Sequence, residues 1–157
     1  MSYKNKIYVQ GHNSFFDGII AKKRIEISEI VNRIILKYDL KSVTDIGTTS
    51  DDEFGSSNLI IKSLKNLIDY KSISNQEINF KIFKKSLNKS ITSDFSDTEI
   101  QQFSSDLIIS SATIEHVGCL ENQKKMIDNI IKLTNKIFVI TTPNKFYPIE
   151  FHTKIPI

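Results

Sequence analysis

Cysteine is nearly absent: Cys119 is the single one in 157 residues. No internal disulfide can form, and the expectation is a reducing compartment, the cytoplasm by default. No apolar run is long enough to span a bilayer. The opening "MSYKNKIYVQGHNS" has no apolar stretch followed by a cleavage site, so no secretory signal is expected. Charge of one sign is scarce too. Lys and Arg number 21 against 18 Asp and Glu, a net charge of +3. That is too mild to point to nucleic acid, which asks for a strongly clustered basic surface. Lys81, Lys84, Lys85 and Lys89 do gather, and read most simply as a solvated face. There is no internal repeat and no low-complexity tract. What remains, 39% hydrophobic and 25% charged, has the balance of a soluble globular protein with one real core.

Residues 1–13 read as a polar arm. From Ser14 to Lys41 the pattern is helical: Phe16, Ile20, Ile27, Ile30, Ile34 and Ile35 recur at the spacing of one helix face, predicting a helix over 15–38 with a break near Lys22. Residues 42–157 would form an α/β core. Ser42–Ile46 is a short strand closed by Gly47. Leu59, Ile60, Leu64, Leu67 and Ile68 predict a helix over 57–68. Strands are expected at 70–74 and, by alternation, at 79–83. Ser96, with Glu99 three residues on, is a capping box that starts a short helix to Phe103. "DLIIS" (106–110) is a buried strand, 120–133 a helix, and "KIFVITT" (136–142) a last strand stopped by Pro143. Strands that alternate with helices predict a doubly wound, mostly parallel α/β sheet of Rossmann-like type, covered on both faces, with the 106 and 136 strands central.

In such a sheet ligands bind beyond the carboxyl ends of the strands, where strand order reverses. Three strand ends are polar in a way their strands are not: "DIGTTSDD", "SSATIEHVG" and "TTPNKFYPIEFHTKIPI". They should converge on one edge of the sheet.

Two resemblances follow from these blocks. "DIGTT" alone is similar to the phosphate loop of the sugar-kinase, actin and heat-shock-chaperone ATPases. There the motif sits in a hairpin between two large lobes, which 157 residues do not supply. The series "VTDIG", "DLIISSATIEHVG", "KIFVITTPNKFYPIEFHT" resembles the class I S-adenosylmethionine-dependent methyltransferases from about Ser42 onward. That family implies S-adenosylmethionine as cofactor, no metal, and methyl transfer to a small-molecule, sugar or lipid acceptor. From the charge and hydropathy above, neither nucleic acid nor a membrane span is expected as partner.

By that resemblance Asp45 would hold the cofactor's amino group, and Gly47 would allow close backbone approach. Thr48 and Thr49 stand where the family continues with glycines. Asn75, with Glu77 nearby, takes the place of the ribose-binding acid. Leu87 would pack on the adenine ring, and Ser110 and Ser111 leave room at the strand end. His116, Glu115 and His152 are the candidate catalytic groups, since a neutral imidazole can take a proton from an acceptor atom. Alternatively, Glu115 and His116 cap the following helix. Cys119 reads as a packing residue. Phe146, Tyr147 and Phe151, with Tyr8, His12 and Phe15 opposite, would cover the acceptor. The family's sheet goes on past the fifth strand and this sequence stops at Ile157. A shortened chain, a homodimer through the exposed edge, or cover by the tail are the three expectations. The alternative to an enzyme is a methyltransferase-like domain that has lost catalysis and serves as a binding or assembly module.

Overall fold

A computed structural model describes residues 14–50 and 58–143, with side chains from Gly18 onward. Helix α1 (Ser14–Lys37) leads to strand β1 (Ser42–Ile46). The short helix α2 (Leu59–Lys62) precedes β2 (Asp69–Ser74) and β3 (Lys85–Asn88). Then follow α3 (Asp97–Phe103), β4 (Ser105–Ser111), a 3-10 turn (Ile114–His116), α4 (Leu120–Leu133) and β5 (Thr134–Thr141). The five strands form one sheet in the order β3-β2-β1-β4-β5, and every pairing is parallel. The Rossmann-like α/β expectation holds.

Successive residues of a strand face opposite sides, so β1 and β4 feed two cores. Val43, Leu107 and Ile109 pack on one face with Val31 and Ile35 of α1, Ile60 and Ile61 of α2, and Phe83. Ile46, Ile73 and Ile108 pack on the other with Phe103 of α3 and Met126, Ile130 and Leu133 of α4. Thr44, inside the second face, avoids an unmet hydroxyl by donating to the Phe103 carbonyl at 2.7 Å.

Several expectations are corrected. Helix α1 runs without a break at Lys22, and Ile30 is turned to solvent while Val31 takes the buried place. The helix expected over 57–68 ends at Lys62. Asn32 of α1 explains the stop. Its amide donates to Ser63 O at 3.0 Å and accepts from Lys65 N at 2.8 Å, capturing backbone groups that a longer helix would have used. No strand covers 79–83. Phe83 N bonds back to Phe80 O at 3.1 Å in a turn, and Phe80, Ile82 and Phe83 anchor that turn to the core. The third strand starts two residues later, where Ser86 pairs with Ser72 at 2.8 Å. Strand β5 is at the edge of the sheet, with Phe138 45% exposed, rather than central. The capping box is present: Ser96 accepts from Glu99 N, and the Glu99 carboxylate accepts from Ser96 N at 2.8 Å. Among the described residues no helix is long and apolar enough to cross a membrane.

Candidate functional site

The chain leaves β1 toward β2 and β3 on one side, then returns to place β4 on the other. Strand order therefore reverses between β1 and β4, and a parallel α/β sheet opens its ligand crevice there. The ends of β1, β4 and β5 meet at this edge. Ser110 Oγ donates to Ile46 O at 3.4 Å, and Thr141 Oγ1 donates to Ser111 Oγ at 2.9 Å.

Asp45 is buried at the end of β1, on the face shared with α1 and α2. Burial pushes its carboxyl up to about 6, and a 2.6 Å hydrogen bond from Thr48 Oγ1 partly opposes that rise. One hydroxyl fills only part of a carboxylate's acceptor capacity.

Gly47 has φ +88, a conformation that favours glycine. A Cβ there would lie 2.3 Å from Thr113 Oγ1 and 2.8 Å from Thr113 Cγ2. The close approach that Gly47 permits is made by Thr113, which the exit of β4 folds back over it. Thr113 Oγ1 donates toward Ile46 O at 3.2 Å, and Ala112 takes a left-handed φ of 52 to make the turn.

The loop after Gly47 is fastened by side chains. Thr48 is buried, and its carbonyl accepts from Ser74 Oγ at 2.7 Å. Thr49 N donates to Asn58 Oδ1 at 3.2 Å, while Asn58 Nδ2 donates to Thr49 O at 3.0 Å. Ser50 N donates to Gln76 Oε1 at 2.8 Å. These are backbone groups that a glycine loop would offer to a ligand.

The exit of β4 is different. Both carboxylate oxygens of Glu115 are buried and take no hydrogen bond among the described residues. His116 beside it is exposed. Neither caps α4. The N-cap is Cys119, which makes no side-chain cap bond and is exposed rather than packed. Asn122 holds the loop instead, donating to Val117 O at 2.8 Å.

Of the sequence-predicted residues, the structure thus brings Asp45, Gly47, Thr48, Ser110 and Ser111 to one edge. Thr49 is there too, tied to Asn58. Asn75 and Glu77 are exposed past the end of β2, and Leu87 packs on the α3/α4 face from the outer strand β3. His152, the aromatic tail and residues 1–13 lie outside the described residues, as does the Phe15 side chain. Sequence reasoning missed Thr113, Ser74, Asn58 and Gln76. Hydroxyl and amide residues at strand ends often bond nearby backbone, but only the fold shows to which backbone.

The chain matches no family model and no curated protein. Its own geometry is what bears on an occupant. A buried acid at the end of β1, bonded among the described residues by the Thr48 hydroxyl, fits a molecule that presents hydrogen-bond donors or an ammonium. The amino and ribose groups of S-adenosylmethionine are of that kind. Among the described residues no three His, Cys, Asp or Glu side chains gather as a metal site would require.

Proposed function

We propose that this domain binds S-adenosylmethionine and transfers its methyl group to a small-molecule, sugar or lipid acceptor. One observation carries the reading: a buried carboxylate, Asp45, bonded among the described residues by one hydroxyl, stands at the end of the strand at the reversal of strand order. An ammonium against such a group makes a charge-assisted bond in a partly dry crevice. Asp45 would hold the cofactor's amino group, and Ser110 and Ser111 would leave room beside it. The cofactor supplies an electrophilic methyl group. The chain's own task is to orient the acceptor and exclude water. His116, exposed beside Glu115, would take the acceptor's proton, with His152 as the other candidate. A reducing, cytoplasmic setting suits the free thiol of Cys119. A second copy across the edge of β5 belongs to the same reading, and a monomer in sedimentation at high concentration would remove it.

Calorimetric titration with S-adenosylhomocysteine tests the reading. Binding is expected, and Asp45→Ala should weaken it about tenfold or more. No heat and no thermal shift at millimolar ligand would overturn it.

A second reading has its own support. The amides of Thr49 and Ser50 are already taken by Asn58 and Gln76. A loop tied in this way suits a methyltransferase-like module kept for binding or assembly. The two part on the same titration, since only the enzyme requires the cofactor.

A further inference from the structure

The lysine cluster on the far side of the sheet from β5 has no part in the site above. Lys84 and Lys85 line a groove of about 430 Å³ that runs along β3, the outermost strand. Three features of this groove bear on what it could take.

The first is an open strand edge. Lys89 N donates to Ser74 O at 2.7 Å. With Ser74 opposite Asn88 in a parallel ladder, the odd-numbered residues of β3 bond to β2. Ser86 and Asn88 therefore turn their N–H and C=O groups outward, and both line the groove. The second feature is charge. Lys84 and Lys85 are exposed, and among the described residues no carboxylate pairs with either. Among the described residues Glu77 is the one acid on the groove wall. Lys89 differs, being held by Glu99 at 2.7 Å. The third is the floor. Ile78 and Phe83 are buried, and Phe80 is half-buried with Lys62 Nζ 5.7 Å from its ring centre.

We propose that the β3 groove is a docking site for an acidic, extended peptide segment of a partner protein, which adds to the sheet as a strand beside β3. Main-chain bonds to Ser86 and Asn88 supply the pairing, and Lys84 and Lys85 select acidic side chains. Lysines on an edge ordinarily discourage pairing between like copies. The same charge favours a partner of opposite sign. Single-stranded nucleic acid would also meet the lysines, but it needs aromatic faces on which bases stack. The two phenylalanines here are turned into the core or covered by Lys62.

The test uses the full chain and a fluorescent peptide, Glu-Val-Asp-Val-Glu-Val-Asp-Val, read by anisotropy. A second peptide replaces each valine by proline, keeping the charge but removing half the backbone donors. The valine peptide is expected to bind, more weakly as salt rises. The proline peptide should lose about tenfold or more in affinity. Lys84→Glu with Lys85→Glu should lose a similar factor, with circular dichroism and the melting temperature unchanged. Three outcomes overturn the proposal: no binding of the valine peptide at millimolar concentration, equal binding of the proline peptide, or tighter binding of oligothymidine than of either peptide. None of them touches the crevice at Asp45.

Discussion

The exits of β1 and β4 lie side by side and are built in opposite ways. After β1 the described loop is met by side chains of the same chain: Asn58 on the Thr49 backbone, Gln76 on that of Ser50, Ser74 on that of Thr48, with the Thr48 hydroxyl on the Asp45 carboxylate. After β4 the chain spends conformational strain on Ala112 and leaves the Glu115 carboxylate buried without a partner among the described residues. A polar loop that satisfies itself is stable and offers little. An unsatisfied buried acid costs stability and persists where something else compensates, as functional sites do. The unspent recognition chemistry of this edge therefore sits on Asp45 and Glu115 more than on the threonine loop.

The largest test of this contrast is at the contact between the exits. Gly47→Ala would drive a methyl group into Thr113 and force a left-handed φ on alanine. A loss of about 3 kcal/mol or more is expected in urea unfolding. Adding Thr113→Ala should recover part of it, since the clash goes and the strain stays. An unchanged midpoint for Gly47→Ala would mean that the two exits are not in contact.

Next in size is Asp45. Its pKa in the fold, about 6, lies above the ordinary 3.8. Between those values the folded state binds more protons than the unfolded one, so stability falls as pH rises through this window and then levels off. The penalty above pH 6 is on the order of 3 kcal/mol. Asp45→Asn removes the charge while Thr48 can still donate to the side-chain oxygen. The variant should gain most of that stability at pH 8 and little at pH 4, while losing ligand binding. Equal stability gains at both values would show that burial of the charge is not the cause.

Glu115→Leu comes third. Removing a buried carboxylate that has no donor should stabilise the chain by about 1–2 kcal/mol in thermal or urea unfolding. A loss of that size would reveal a bond that Glu115 makes in solution. The smallest effect belongs to the fastening of the threonine loop. Asn58→Gly keeps the left-handed residue, φ 54, but drops the exposed amide bonds. It should cost about 1 kcal/mol or less. If the tied loop restrains cofactor entry, the same variant should bind S-adenosylhomocysteine more tightly. Weaker binding would show that Asn58 shapes the site.

Long-period and local signals were legible in the sequence. Helix α4 falls on its expected bounds, Ser96 and Glu99 form their box, and β1 ends where Gly47 closes it. Each of these depends on residues within one or two turns of chain. Two of the failures involve groups that packing brought in. Asn32 cut short α2 from 31 residues away, and the core claimed Phe80 and Ile82 for a turn although their alternation suited a strand. The site divides in the same manner. Asp45 could be picked out as a strand-end acid, but Thr113 over Gly47 could not, because 67 residues separate Thr113 from its bond to Ile46.

By itself the sequence determined that helices and strands alternate, that the strands are parallel, and that polar strand ends share one edge. Hydrophobic periodicity and the need to cover both faces of a buried sheet suffice for that. Only the tertiary structure decided that Thr113 occupies the space beside Gly47 and that Glu115, among the described residues, is buried without a donor. Those outcomes depend on which groups the packed chain brings within hydrogen-bond or contact distance, and periodicity carries no information about them.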